Sequence, residues 1–196
     1  INRTLRKMGE EPVLYDSVQA RLSSEDLTVA LQNMGYMNAS VDLDKKIRGK
    51  KLAAIYNIHP GEPYMIDKFS YDIEDSIVAK VLAPHLLSDH NQPKQFTVSS
   101  LDEERKRLTH ILNDSGYYRF NKDFIYYTAD STLGRQHVNV TLHLSKYVEG
   151  SGSKPTLHPR YIIKDVNFIP GDSTGFHLRK SVLEENTLIE KGKYFS

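Results

Sequence analysis

The chain contains no cysteine and no tryptophan. The first absence removes disulfide frameworks, thiolate zinc sites and thiol nucleophiles together. It names no compartment, since a cysteine-free chain is harmless in an oxidising one. Charge of one sign is lacking too: 26 Lys and Arg stand against 25 Asp and Glu, a formal net charge of +1. Nucleic-acid binding is therefore not expected, because no single-sign field recruits phosphates. The basic clusters Lys45-Lys46-Ile47-Arg48 and Arg105-Lys106-Arg107 each lie near offsetting acids. No apolar run reaches the length of a membrane-spanning helix. No signal peptide opens the chain at Ile1, and the sequence is expected to be a processed or excised piece.

What is present fits small, repeated, tyrosine-rich cores. The 196 residues include 12 Tyr and 7 Phe, enough for two small domains and part of a third. Ser23-Ser24-Glu25-Asp26 offers caps for a helix, and Leu27, Ala30, Leu31 and Met34 give it one apolar face. Gly35 sits where a left-handed residue ends it. Two alternating strands come next, with Val41, Leu43 and Ile47 on one face of the first and Leu52, Ala54, Tyr56 and Ile58 on one face of the second. Arg48-Gly49-Lys50 turns between them.

The order then recurs. Ser100-Leu101-Asp102-Glu103 reads as a capping box, opening a helix that buries Leu101, Leu108, Ile111 and Leu112 and stops at Gly116. A strand over Phe120 to Thr128, a turn at Asp130 to Gly134, and a strand carrying Val138, Val140, Leu142 and Leu144 come next. Leu27, Leu31, Gly35 and Tyr36 recur 81 residues on as Leu108, Leu112, Gly116 and Tyr117, which argues for tandem modules. Tyr64-Met65-Ile66-Asp67 and Tyr161-Ile162-Ile163-Lys164 each open an extended run. A short helix over Ser76 to Leu82 is closed by Pro84. The linker before Tyr161, Gly150 to Pro155, is flexible by composition, whereas Pro60 and Pro63 stiffen the earlier join.

Chemistry is sparse. His59, His85, His90, His110, His137, His143, His158 and His177 show no compact metal-ligand spacing. His137 and His143 lie on the polar face of one strand and read as solvated. Gly150-Ser151-Gly152 lacks the setting of a phosphate loop, and no nucleophile elbow appears. Asp102-Glu103-Glu104 suits the positive end of its own helix. No catalytic, cofactor-binding or metal-ligating residue is assigned, and no cofactor is expected.

Three stretches carry a resemblance to a known family: Leu31-Gln32-Asn33-Met34-Gly35-Tyr36, Leu112-Asn113-Asp114-Ser115-Gly116-Tyr117-Tyr118, and the join Tyr56 to Ile66 with its Pro60-Gly61-Glu62-Pro63-Tyr64. They resemble the polypeptide-transport-associated (POTRA) domains of BamA/TamA-family outer-membrane assembly proteins, the TamA-like branch above all. The resemblance implies an α/β (α+β) fold of β-α-α-β-β modules, each a three-stranded mixed sheet covered on one face by two helices. The chain then divides into 1–62, a module lacking a clear first strand; 63–148, a complete module; a linker, 149–160; and 161–196, the truncated start of a third.

It further implies a non-enzymatic scaffold on the periplasmic side of the outer membrane, followed in the same polypeptide by a membrane β-barrel. Its partners would be unfolded outer-membrane proteins or assembly-complex subunits, bound by adding a strand to a sheet edge. The family's edge strand maps to about Ala39 to Arg48 in the first module and to Asn121, Lys122, Asp123, Phe124, Ile125, Tyr126, Tyr127 and Thr128 in the second. Lys45 and Lys46 blunt the first edge; the apolar run Phe124 to Tyr127 makes the second adhesive, with the Ile125 amide expected to point outward. Gly35, Tyr36, Pro60, Gly61, Tyr64, Gly116 and Tyr117 are structural motif residues on this reading. The runners-up are a small-substrate enzyme with a site between modules and a two-partner secretion transporter carrying the same module. The downstream sequence separates them: about sixteen amphipathic strands after Ser196 would identify an outer-membrane barrel.

Overall fold

Both long helices end in the same way, on a glycine in the left-handed conformation. In the computed structural model the described residues are 14–86, 94–132, 134–167 and 189–194; His90, Leu133 and His177 lie outside them. Helix α1 spans Ser17–Asn33 and closes on Gly35 at φ 97°. The Gly35 amide donates to the Gln32 carbonyl (2.8 Å) and the Tyr36 amide to the Leu31 carbonyl (3.0 Å). At the end of the later long helix Gly116, at φ 96°, donates to Asn113 (3.0 Å) and Tyr117 to Leu112 (3.0 Å). Each is a Schellman closure, which a left-handed glycine enters without steric cost.

The chain divides into two compact units, Ile1–Tyr64 and Met65–Ser196. In the first, α1 accompanies a hairpin of β1 (Ser40–Arg48) and β2 (Lys51–His59), paired antiparallel from Ser40↔His59 to Arg48↔Lys51 around Gly49-Lys50. Helix α1 begins earlier than the serines suggest. Asp16 is the cap, its carboxylate accepting from the Val18 and Gln19 amides, while Ser23 and Ser24 sit mid-helix. Ser24 is buried because its hydroxyl donates to the Val41 carbonyl (2.7 Å). The inward stripe therefore runs through Ala20, Ser24, Leu27 and Leu31, and Ala30 and Met34 are exposed, against expectation.

The second unit is mixed α+β, in the order strand, helix, helix, strand, strand. Strand β3 (Met65–Asp72) leads to α2 (Ser76–Leu82), capped by the Asp75 carboxylate and followed by a 3-10 turn at Ala83–His85 that holds Pro84. A two-residue strand β4 (Lys94–Gln95) precedes α3 (Val98–Asp114). The cap of α3 is Thr97, accepting from the Ser100 amide at 3.2 Å, so the expected capping box at Ser100 starts one turn too late. Strands β5 (Ile125–Asp130) and β6 (His137–Leu144) complete the sheet, ordered β4-β3-β6-β5. β3 lies parallel to β6; β5 and β4 run antiparallel to their neighbours. The β4 pairing adds a fourth strand to the three expected.

The helices share one core with one sheet face. Val78, Leu82, Leu108, Leu112, Tyr117, Ile125 and Leu142 are essentially fully buried there, with Phe69, Tyr71, Ile111 and Tyr127 packed against them. Of the four expected α3 core residues, Leu108 and Leu112 are buried and Leu101 and Ile111 half-buried. Glu104 is also buried, its carboxylate accepting from Arg107 Nε and Nη2 at 2.7 Å each. Such a bidentate pair keeps a buried acid satisfied.

Residues 149–160 are not a free tether. Tyr147 and Thr156 exchange two backbone hydrogen bonds (3.0 and 2.8 Å), closing the Gly-rich stretch into a loop. The run from Tyr161 to Asn167 forms no regular strand; it makes one bridge, Ile162↔Tyr194. Its first amide, Tyr161 N–H, donates to the Gly116 carbonyl at 2.7 Å, as Tyr64 N–H donates to Gly35 at 2.8 Å. The rest of 161–196, residues 168–188 and 195–196, lies outside the described residues.

A Cβ built on Gly116 would stand 2.9 Å from Tyr194 Cδ1 and 3.0 Å from the Tyr161 carbonyl oxygen. Gly116→Val thus combines the left-handed penalty with a clash against backbone. Its cost is expected to exceed about 2 kcal/mol, a fall of roughly 4–8 °C in Tm, and Gly116→Ala should also melt early. Gly35→Val carries the same backbone penalty. Thermal unfolding by circular dichroism checks all three.

Candidate polypeptide-binding edge

Among the described residues β5 pairs only with β6, at the edge of its sheet. It is shorter than the sequence suggests. Asn121 accepts through Oδ1 from the Asp123 amide (2.8 Å), so Lys122–Phe124 is a 3-10 turn. Arg105, from α3, locks this turn by donating through Nε (3.0 Å) and Nη2 (2.8 Å) to the Lys122 carbonyl. Asn121, Lys122, Asp123 and Phe124 are thereby corrected from strand to turn, and Phe124 packs inward on Phe120 and His158. Ile125 is buried, and its amide donates to the Lys122 carbonyl instead of pointing outward. Tyr126, Tyr127 and Thr128 are in the strand.

Main-chain direction is set by one bond. The Phe124 carbonyl accepts from the Ser145 amide (2.7 Å), and antiparallel alternation carries that parity along the strand. Tyr126, Thr128 and Asp130 face His143, Thr141 and Asn139 across the ladder. The N–H and C=O of Tyr127 and Ala129 point away from the sheet, with no backbone partner among the described residues. The sequence pattern begins this edge four positions too early, at Asn121 where the strand begins at Ile125. Tyr127 belongs to both.

The helix side of the edge is fixed by polar contacts. The Tyr127 hydroxyl donates to the Leu101 carbonyl (2.9 Å), and burial pushes its phenol well above the usual tyrosine range. Asp102 holds Lys106 at 2.7 Å and Lys122 at 2.9 Å. Hydrogen bonds from these two ammonium groups hold the carboxyl down to about 2. A groove of about 410 Å³ beside the turn is lined by Lys106, His110, Asn121 and Lys122. Its lysines are committed to Asp102, and His110 to Asp114 at 2.8 Å.

The helix-free face of the sheet carries cross-strand rows: Lys68, Asn139 and Asp130; Ser70, Thr141 and Thr128; Asp72, His143 and Tyr126. His143 is the hub of that face, more than the solvated strand residue expected. Its Nδ1 lies 3.0 Å from Asp72 Oδ2 and its Nε2 2.9 Å from Thr128 Oγ1, and Tyr126 stacks on it at 5.0 Å. Hydroxyl, imidazole and carboxylate stand in the order of an activated nucleophile. Catalytic use of that order needs a concave, water-shielded site. Here it crosses a solvent-facing sheet with Asp72 64% exposed, and it ties β3, β6 and β5 together. No group of three or more potential metal ligands occurs among the described residues.

The first unit's candidate edge is engaged differently. The Val41 carbonyl of β1 accepts from Ser24, and the Lys45 ammonium lies 5.1 Å over the Tyr15 ring. Pro60 and Gly61 leave β2 without regular structure, with Gly61 at φ 69°.

No protein-family model and no curated protein matches the chain. Among solved structures it is similar to Haemophilus influenzae BamA POTRA3-5, at 13% identity over 95% of this chain and 67% of that one, with a TM-score of 0.42. It is also similar to BamA from Haemophilus ducreyi lacking POTRA domains 1-3, at 14% identity over 69% of this chain and 24% of that one, with a TM-score of 0.38. Likeness at this level carries no functional argument, and the architecture rests on the strand order and pairing themselves.

If the His143 hub holds the edge strand, Thr128→Val should cost about 0.5–1.5 kcal/mol in urea unfolding. The same substitution should cost nothing further in a His143→Phe background. Equal losses in both backgrounds would mean the contact has no weight.

Proposed function

We propose that the chain is a periplasmic scaffold of an outer-membrane β-barrel assembly or translocation protein, a POTRA array of the TamA-like branch. It holds an extended segment of an unfolded outer-membrane protein, or of a partner subunit, along β5. The observation that carries this reading is the outward main chain of Tyr127 and Ala129 on a strand with one neighbour among the described residues. Such groups bind extended polypeptide with little sequence preference, which suits a handler of many clients. The docking residues are Tyr126, Tyr127, Thr128 and Ala129, with the turn at Asn121 to Phe124 setting where the edge begins. The alternation of Val138, Val140 and Leu142 with His137, Asn139, Thr141 and His143 on β6 adds chemical fit. An added strand with the same alternation would extend both faces of the sheet. Alternating strands are what membrane barrels are made of.

Ala129→Pro tests this. Proline is tolerated at an edge position whose N–H points to solvent, so the fold and Tm should survive within a few degrees. Losing one outward donor should weaken binding of an extended outer-membrane-protein peptide about three- to tenfold by fluorescence anisotropy. Unchanged affinity would exclude β5 as the docking edge.

A further inference from the structure

After β6 the chain folds back onto the end of α3. The Tyr147–Thr156 bonds close the loop, and His158 then turns inward, 9% exposed. Its ring centroid lies 4.8 Å from that of Phe120, 4.7 Å from Phe124 and 6.0 Å from Tyr147. Nε2 lies 2.8 Å from the Ser145 carbonyl. A carbonyl only accepts, so Nε2 carries the proton, and Nδ1 of the neutral ring is a bare acceptor. Two residues on, Arg160 Nε donates to the Ser115 carbonyl at 2.6 Å, its guanidinium stacks 3.3 Å from the Tyr194 ring, and the Tyr161 amide donates to Gly116. The strap from Thr156 to Tyr161 is thus held at its start by the Tyr147 backbone, at the helix end by Arg160 and Tyr161, and between them by the buried imidazole on Ser145, Phe120 and Phe124.

We propose that His158 is a proton-operated pin: neutral, it helps lock the strap from Thr156 to Tyr161 onto the end of α3; protonated, it releases it. Protonation places a charge on an imidazole 9% exposed and packed among the rings of Phe120, Phe124 and Tyr147, where little water is left to solvate it. The neighbouring charges do little to accommodate it. Arg119 donates to the Tyr147 hydroxyl and pairs with Glu149, both at 3.1 Å, and Lys146 pairs with Glu74 at 2.9 Å. Asp75, which caps α2, favours the cation, as does the Ser145 carbonyl. Burial outweighs both and pulls the imidazole below its ordinary value of 6.5. A group lowered in this way contributes stability that is complete above 6.5 and is lost as pH falls from there to the folded value. Acid therefore opens the strap. The pin needs no client on β5, although it touches the turn at Phe124 where that edge begins.

The test is amide exchange of the full chain between about pH 7.5 and 5, alongside NMR titration of the His158 ring proton. Corrected for intrinsic rate, exchange at Thr156 and Tyr161 should accelerate about tenfold per pH unit between 6.5 and the ring's own midpoint. Leu108 and Leu112 in α3 should keep their protection. His158→Gln retains a donor for Ser145 and cannot titrate, so its strap exchange should be flat over that range. A ring midpoint at or above 6.5, pH-independent exchange at Thr156 and Tyr161, or a pH response surviving in His158→Gln would each overturn the proposal. Should His158→Gln fail to fold, the wild-type curves decide: exchange onset that tracks the ring titration supports the pin, and onset that departs from it refutes it.

Discussion

The arrangement depends most on a hydrogen bond made twice: the amide that begins a new stretch donates to the carbonyl of the glycine that ends a long helix. Tyr64 does this to Gly35 and Tyr161 to Gly116. A Schellman closure leaves its left-handed residue's carbonyl facing away from the helix, available to the next stretch of chain. The returning chain must approach closely, and at Gly116 the space a Cβ would need is taken by Tyr194 and the Tyr161 backbone. Glycine is therefore needed there for two independent reasons, conformation and proximity. Tyr117 joins the core together with Leu112, whose carbonyl its amide binds, so helix end, turn and core are set as one unit.

The same sheet has to satisfy two different surroundings. One face is closed by α2 and α3 over Leu142; the other carries Asn139, Thr141 and His143, partly exposed, on alternate positions of the same strand. Buried charge is admitted on the helix side only when fully paired. Glu104 shows this, binding Arg107 through both oxygens and accepting from the Tyr71 hydroxyl at 3.3 Å.

Local signals are legible in the sequence, and contacts between distant residues are not. Gly35 and Gly116 can be read because so few residues enter a left-handed turn at low cost, and β6 because its alternation is unbroken. The start of α1 is hidden because Ser23 and Ser24 look like caps, and nothing local reveals that Ser24 finds its acceptor on β1, 17 residues away. The run from Asn121 to Phe124 has the β-branched and aromatic neighbours of a strand. Arg105 makes it a turn from 17 residues away. The His143 hub needs the register of three strands at once, and Asp72 is 71 residues from it. The Gly-rich loop looks like a tether because composition reports the freedom of a segment and not whether its ends are paired. Of the candidate edge, the strand's place in the sheet can be inferred from the pattern, and its first residue cannot.

The shortness of that edge sets how a scaffold of this kind could work. Two outward residues offer at most four main-chain bonds, each worth about 0.5–1.5 kcal/mol net. Their sum of roughly 4 kcal/mol corresponds to a dissociation constant near millimolar. A single module would capture a client only fleetingly and let it go without help. Retention would then come from several such edges along one polypeptide, each raising the local concentration of client for the next. Handover along the array would cost little, because no single grip has to be broken at great expense.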